Sequence, residues 1–196
     1  MRTNYYALVE DYLPQTNEDK AIKDSILNYI QRNREAVLTR EDPMAHMTAS
    51  TVILNETATK MLMIHHRIYD AWTWQGGHAD GEEDLLRVAI KEAKEETGLS
   101  HFSPVISRNG ALLYRLDILP VKGHVKNGFY VSPHLHLNAA FVLIAKEEEE
   151  CIVNEAETKG IEWVLLEDID VKADEPDITP IYHKLISEAK INRCRT

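Results

Sequence analysis

Residues 77–99 read GHADGEEDLLRVAIKEAKEETGL, and this stretch is the most informative part of the sequence. Its glycines and carboxylates follow the spacing Gly-x5-Glu-x7-Lys-Glu-Ala-Lys-Glu-Glu-Thr-Gly-Leu, which random acidic helices rarely reproduce. Apolar side chains recur every three or four residues, the pattern of a helix with one buried face. They are Leu85, Leu86, Ala89, Ile90 and Ala93. The stretch therefore predicts an amphipathic helix that carries carboxylates on its other face.

Cap residues predict where this helix begins and ends. Asp80 is a good N-cap, and Glu83 stands three residues later, where a capping-box partner belongs. We therefore expect the helix to begin near Gly81. Gly98 suits the left-handed conformation that commonly ends a helix.

Three glutamates, Glu92, Glu95 and Glu96, lie at positions i, i+3 and i+4, so their side chains rise together from the predicted helix. Like charges at this spacing cost roughly 0.2–0.5 kcal/mol per pair, so the cluster needs solvent or a cation. Oxygen ligands suit Mg2+ first and Mn2+ next. A solvated acidic face is the alternative interpretation. Gly76 and Gly77 favour the metal, because backbone without a Cβ can approach a metal or a phosphate closely.

The same stretch resembles the signature box of the Nudix hydrolases, Gly-x5-Glu-x7-Arg-Glu-U-x-Glu-Glu-x-Gly-U, in which U is aliphatic. Every spacing is kept. One side chain departs from the pattern, because Lys91 stands where the family has an arginine that braces the catalytic glutamates. An ammonium is a poorer brace than a bidentate guanidinium. Lys91 can still pair with Glu95 at i+4.

The resemblance implies a role for each matching position. Glu92 and Glu96 match the glutamates that bind divalent metal ions, and Glu95 matches a further ligand. The carbonyl of Gly76 would complete the coordination, and Glu83 would support the site from behind the ligands. Glu92 would also be the base for water. The implied cofactor is Mg2+, with Mn2+ as the other candidate.

The resemblance also implies a reaction, the hydrolysis of a nucleoside diphosphate linked to another group, by attack of water on phosphorus. Metal ions assist this chemistry without a covalent nucleophile. A Nudix-type module that senses a nucleotide without cleaving it is the alternative, and Lys91 is the only box feature that favours it. A Nudix-fold isomerase of isoprenoid diphosphates would need an acid cysteine in the pocket, and Cys151 and Cys194 are not placed for that role.

Periodicity along the rest of the chain predicts an α/β fold. Two helices are expected before Pro43, with Asn17 as a cap of the second, and a last helix is expected to open at Thr179. Alternating apolar segments predict strands at 52–54, 61–64, 112–119, 137–145 and 161–166. We expect a mixed sheet between helices, the α/β/α sandwich that the resemblance also implies. Residues 1–44 would form a helical N-terminal extension and residues 45–196 the Nudix hydrolase domain.

Histidines near the box are candidates for substrate contacts. His134 and His136 alternate on one face of a predicted strand, where they would line the pocket and donate to phosphate, or else be ordinary half-exposed histidines. His78 follows the two glycines, and His46 precedes the first predicted strand. His78 is the closer of these two to the box in sequence, although nothing in the sequence determines where it points.

Other candidates lie outside the box. Trp72 and Trp74 flank the glycine loop on one strand face, where an indole can stack on a nucleobase, and Trp74 is the candidate we select. Core packing is the alternative for one of the two. Glu155 or Glu157, in a loop before Trp163, is a candidate for an additional metal ligand or base, or an exposed carboxylate.

Composition limits the class of protein. The chain has 196 residues, 44% of them hydrophobic, and a formal charge of −10. This charge argues against a nucleic-acid polymer as partner, so the expected partner is a small nucleotide derivative. We find neither a secretory signal nor a membrane span, and we therefore expect a cytoplasmic protein with no membrane partner. The apolar stripes of the N-terminal helices leave a homodimer open.

Overall fold

The structure is a computed structural model that describes residues 4–67, 70–126, 128–154, 158–173 and 175–193. Its helices are α1 (Tyr5–Asp11), α2 (Asn17–Asn33), a short 3₁₀ helix (Arg34–Leu38), α3 (Leu85–Thr97), α4 (Ile169–Ala173) and α5 (Thr179–Arg193). Its strands are β1 (Ala45–Asn55), β2 (Lys60–His66), β3 (Ala71–Thr73), β4 (Gln75–His78), β5 (Ser103–Pro104), β6 (Arg115–Val121), β7 (His124–Lys126), β8 (Phe129–Val131), β9 (His134–Ala145) and β10 (Thr158–Leu165).

Eight of the described strands form one mixed sheet, as the sequence predicts. The path runs β10-β2-β1-β9-β5, with β3 paired to β2, β4 to β1 and β6 to β9. β1 and β9 run parallel, from Ala45 opposite Leu135 to Asn55 opposite Ala145, and the other pairs are antiparallel. β7 and β8 form a separate hairpin. The long parallel pair at the centre aligns residues of β1 and β9 that are about 90 positions apart in the sequence.

The central strand β1 is buried along its whole length because helices cover both faces of the sheet. Met47 and Ala49 point to one face, where they pack with residues of α1, α2 and α3. Val52 and Leu54 point to the other face, where they pack with α4 and α5. This alternation gives the expected α/β/α sandwich.

The helix that carries the carboxylates begins four residues later than the caps predict. Asp84, and not Asp80, is the N-cap of α3, and its side chain accepts a hydrogen bond from the Arg87 amide. The predicted capping box of Asp80 and Glu83 is therefore wrong. Asp80 has φ +45° and Gly81 has φ +89°, and this left-handed turn cannot belong to a right-handed helix. Gly98, with φ +74°, ends the helix as predicted.

The N-terminal segment packs directly on the sheet domain. Ile26 and Ile30 of α2 belong to the same buried cluster as the α3 residues Leu85 and Val88. The N-cap of α2 is Thr16, whose side chain and that of Asp19 form a capping box. The prediction that Asn17 caps this helix is therefore wrong by one residue.

Three candidates named above, Glu155, Glu157 and Cys194, lie outside the residues that the structure describes. Cys151 is a free, half-buried thiol. Among the described helices, none combines the length and the apolar character that crossing a membrane requires.

Candidate active site

The inner face of α3 directs two carboxylates toward the glycines of β4. Glu96 is only 4% exposed, and its Oε2 accepts a hydrogen bond of 3.0 Å from the backbone amide of Gly76. A glutamate can be buried here because that amide compensates part of its charge. The contact brings the Glu-Glu end of the box and the glycine pair together in space.

Glu92 lies one turn earlier on the same helix and approaches the second glycine. A Cβ added to Gly77 would lie 2.4 Å from the carboxyl carbon of Glu92. Glycine leaves room for this carboxylate because it has no Cβ. A Cβ on Gly76 would instead meet backbone, 2.7 Å from the Ala49 carbonyl oxygen and 2.9 Å from the Ser50 Cα. Glycine is therefore required at both positions, at Gly77 for the close approach of Glu92 and at Gly76 for the close approach of the β1 backbone.

Lys91 binds two of the three glutamates of α3. Its Nζ lies 3.1 Å from Glu92 Oε1 and 3.4 Å from Glu95 Oε2. The hydrogen bond to Glu92 raises the pKa of the Lys91 ammonium. The Glu95 side chain is 53% exposed, in contrast to the 16% of Glu92. The structure thus brings Glu92 and Glu96 to the glycine pair and leaves Glu95 at the solvent side of Lys91.

Glu83 lies in the loop before α3 and faces the N-terminal segment. Its Oε2 accepts a hydrogen bond of 3.0 Å from the Asn4 side chain, which also caps α1. The same loop is held elsewhere by Arg40, whose guanidinium binds both carboxylate oxygens of Asp80 at 2.8 and 2.6 Å. The amide of Gly81 donates to the Leu38 carbonyl at 2.9 Å. The N-terminal segment therefore holds the loop that joins the glycines to α3.

The predicted histidines come together on the opposite face of the sheet from α3. His136 lies opposite His46 in the parallel pair β1–β9, and His78 lies opposite Thr48 in the pair β1–β4. His134 is two residues before His136, on the same face. His46 lies within β1, so the expectation that it precedes the first strand is wrong. The sheet register gathers all four rings, although they come from three separate segments of sequence.

The floor beneath these rings is polar. Asn138 Oδ1 accepts hydrogen bonds from Thr48 Oγ1 at 3.0 Å and from Ser50 Oγ at 2.9 Å. Burial, together with the neighbouring histidines, lowers the pKa of His136 to about 2, and burial lowers the pKa of His46 as well. Both rings are therefore neutral at physiological pH.

Trp74 is placed in the core, the alternative environment considered for one of the two tryptophans. It is 8% exposed, and its ring meets the Tyr182 ring edge-on at 5.3 Å. Trp72 is more exposed and lies under the Lys172 ammonium, which is 4.0 Å from its ring centroid. Of the two indoles, Trp72 is the one at the surface.

Sequence reasoning did not select His46 as a candidate for the site. Its neighbours in the chain carry no motif. The signal that would have found it is the parallel register of β1 on β9, which places His46 beside His136. Such a long-range pairing is not encoded in local periodicity.

Solved structures with the same fold are recognisable at low sequence identity. An Ap4A hydrolase of C. elegans, in a binary complex, matches with a TM-score of 0.52 and 19% identity, over 72% of this chain and 95% of that one. The E. coli dihydroneopterin triphosphate pyrophosphohydrolase matches with a TM-score of 0.56 and 16% identity, over 73% and 96%. At these identities the likeness shows the fold. No curated protein sequence matches significantly.

A family model matches more of the chain than the box alone. The NUDIX domain model spans residues 44–185, from just before β1 into α5. This range contains the glycine pair, the α3 carboxylates and the sheet that positions them. The protein belongs to the Nudix family.

Proposed function

We propose that the protein is a divalent-metal-dependent hydrolase that cleaves a phosphoanhydride bond in a nucleoside diphosphate linked to another group. The observation that carries this proposal is the convergence of Glu92 and Glu96 on the Gly76–Gly77 backbone. Glu96 is held there by the Gly76 amide, and Glu92 fills the space that a Cβ of Gly77 would take. Two carboxylates are therefore grouped beside the backbone of two glycines.

The donor set fits a hard cation. Two glutamate carboxylates, with Glu95 nearby on the same helix, offer the oxygen ligands that Mg2+ and Mn2+ prefer. We assign metal binding to Glu92, Glu95 and Glu96, with the Gly76 carbonyl as an additional ligand. When bound, such ions would neutralise a pyrophosphate, lower the pKa of water and stabilise charge on the leaving oxygen.

The chain's own groups supply orientation and proton transfer. Lys91 restrains Glu92 through the 3.1 Å contact, in place of the arginine that the family pattern has at this position. Glu92 is the base that accepts the proton of the attacking water. The backbone amide of Gly76 keeps the Glu96 carboxylate directed at the glycine pair.

We infer further that residues 1–44 are an extension of a hydrolase domain formed by residues 45–196. The extension supports the box through the hydrogen bond from Asn4 to Glu83 and the ion pair of Arg40 with Asp80. Glu83 then acts on the site by positioning the loop before α3. Selectivity among nucleotide derivatives would reside in this loop and in the segment that holds it.

The test is turnover of a panel of nucleotide derivatives with Mg2+ and with Mn2+, comparing wild type with Glu96→Gln. Ap4A, nucleotide sugars, ADP-ribose and nucleoside triphosphates cover the chemical range. We expect one class to be cleaved by the wild type and not by Glu96→Gln, because the amide removes the charge that would hold the metal. Glu150→Gln, in an exposed acidic loop, is the matched control and should retain wild-type rates.

Thermal melting must accompany these assays, so that a folding defect is not mistaken for a catalytic one. Wild-type turnover by a folded Glu96→Gln protein would contradict the metal assignment. Tight binding of a nucleotide with no cleavage under either metal would instead support the sensing module, with Lys91 as the residue to examine.

A further inference from the structure

Four histidines, His46, His78, His134 and His136, form a cluster on the sheet face opposite α3, and we call it the histidine cluster. They come from β1, β4 and β9, three strands that the sheet register brings side by side. One ligand nitrogen from each ring can be chosen so that all four lie within 4.8 Å of one another. The carboxylates Glu92 and Glu96 are carried by α3, on the other side of the sheet. The cluster is therefore a separate group of metal-ligating side chains.

Five of the six pairs of rings have the spacing that a tetrahedral arrangement around one ion would give. Ring centroids of neighbouring members are 4.8, 4.9, 4.9, 5.2 and 5.3 Å apart. Four imidazoles around a zinc ion, with Zn–N distances of about 2.0–2.1 Å, would have centroids about 5 Å apart. The nitrogens must still move together by roughly 1 Å each to reach that geometry. The soft χ2 torsion of histidine allows such a movement.

Two rings are already held in the tautomer that a metal requires. Nδ1 of His46 lies 3.2 Å from the Asp42 carbonyl oxygen, and Nδ1 of His134 lies 2.9 Å from the Ser132 carbonyl oxygen. A carbonyl only accepts, so both Nδ1 atoms carry the proton and both Nε2 atoms present a lone pair. Metal-binding histidines are commonly fixed in this way, with the second nitrogen donating to a backbone carbonyl.

Buried nitrogens without a partner provide a second, independent indication. His46 is 5% exposed, and its Nε2 is buried with no hydrogen-bond partner among the described residues. Nε2 of His136 is in the same condition. Leaving such an acceptor unsatisfied costs free energy, which a bound cation would recover.

We propose that the histidine cluster binds one borderline transition-metal ion, Zn2+ or its chemical neighbours Co2+ and Ni2+. Imidazole nitrogen suits these ions and not Mg2+, so the site is distinct from the carboxylate site in chemistry as well as in place. Four protein ligands leave no open coordination position, which is typical of a structural site. The ion would join β1, β4 and β9 and would fix the strand that ends in Gly76, Gly77 and His78. The proposal does not depend on the hydrolase activity.

The test is a titration of the chelator-treated, full-length protein with Co2+ and with Zn2+, in excess Mg2+. Four-coordinate Co2+ absorbs visible light far more strongly than six-coordinate Co2+, so the spectrum reports the ligand geometry. We expect one Co2+ per chain with the strong bands, displacement by Zn2+, and a melting temperature that rises with Zn2+ concentration.

Variants show which residues hold the ion. His134→Ala and His136→Ala should each lose at least about tenfold in Co2+ affinity and lose the strong bands. His124→Ala is the matched control, because His124 Nδ1 makes the same contact to a carbonyl two residues earlier, 3.0 Å from Lys122, outside the cluster. It should bind as wild type does. Glu96→Gln should also retain the Co2+ bands.

Three results would overturn the proposal. One is no binding, or binding without the strong bands, by the wild type. Another is Co2+ binding that Glu96→Gln removes while His134→Ala and His136→Ala retain it, because the ion would then be on α3. The third is binding of inorganic phosphate, and not of Zn2+, that His134→Ala removes. His134 and His136 are both half-buried, and the His134 variant keeps the test valid if His136→Ala fails to fold.

Discussion

At single-residue level, the adjacent glycines Gly76 and Gly77 of β4 differ in which atoms an added side chain would displace. A Cβ on Gly77 would lie 2.4 Å from the Glu92 carboxyl carbon, at the far end of a flexible side chain. We therefore expect Gly77→Ala to fold with a free energy of unfolding within about 0.5 kcal/mol of wild type, typical of a tolerated substitution. Because Glu92 must move aside, we expect turnover to fall at least about tenfold, a loss of about 1.4 kcal/mol of transition-state stabilisation. Steady-state kinetics and urea unfolding measure the two effects.

Gly76→Ala is the matched control for this prediction. Its Cβ would meet the Ala49 carbonyl oxygen and the Ser50 Cα at 2.7 and 2.9 Å, and backbone in the central sheet cannot move aside cheaply. We expect it to cost about 1–3 kcal/mol of stability, as overpacking does. Equal activity of wild type and Gly77→Ala would contradict the placement of Glu92.

The same residues show how far the site was predictable. Box spacing located Glu92, Glu96 and the glycine pair, because a helix repeat and a glycine requirement are local properties. The contact of Glu83 with Asn4 was not predictable, since it joins residues 79 positions apart. Nor was the burial of Trp74, which depends on Tyr182 of the last helix.

Among the secondary-structure elements, α3 has two candidate N-caps, Asp80 and Asp84, which mutation can distinguish. The Asp84 side chain accepts a hydrogen bond of 3.2 Å from the Arg87 amide, whereas Asp80 sits in a left-handed turn outside the helix. We expect Asp84→Ala to lower the free energy of unfolding by about 1 kcal/mol, the usual value of an N-cap. Asp84→Asn should restore most of it, since asparagine caps as well as aspartate does. Chemical unfolding measures all three proteins.

An unchanged stability of Asp84→Ala would contradict the assignment of Asp84 as the N-cap of α3. Sequence reasoning chose Asp80 because Glu83 follows it at the capping-box spacing. The capping-box spacing does not report backbone torsions, and Asp80 has φ +45° and Gly81 φ +89°. Two good cap residues four positions apart are distinguished by the backbone turn between them.

At the scale of the whole molecule, the sequence predicts the layers better than the connections. Alternating apolar residues predict five strands, and all five exist, although β9 extends to His134 and β6 begins at Arg115. The parallel pairing of β1 with β9 aligns distant segments, and no local pattern specifies it. The histidine cluster is a product of that pairing, which is why only part of it was selected.

A buried charge network joins the N-terminal helices to the sheet. Arg115 of β6 binds Asp19 of α2 at 3.0 Å and Asp117 of its own strand at 2.6 Å. All three side chains are less than a tenth exposed. Burial raises the pKa of Asp117 even though Arg115 acts to lower it, and Asp117 Oδ2 is buried without a partner in the described structure. The arginine is thus the group that makes two buried carboxylates tolerable.

Removing this arginine should destabilise the protein in a pH-dependent way. We expect Arg115→Met to cost about 3 kcal/mol near neutral pH, because Asp19 and Asp117 lose their buried partner. A carboxyl whose folded pKa lies above its unfolded value stabilises the fold when protonated, and this stability is lost as the pH rises through the folded pKa. The difference in free energy of unfolding between variant and wild type should therefore shrink as the pH falls toward ~4.

Lys184→Met is the control for this prediction, since Lys184 also lowers the pKa of Asp117 but is 53% exposed. It should cost under about 1 kcal/mol of stability. Urea unfolding at both pH values decides the matter, and a pH-independent difference would show that lost packing, not charge, explains the effect.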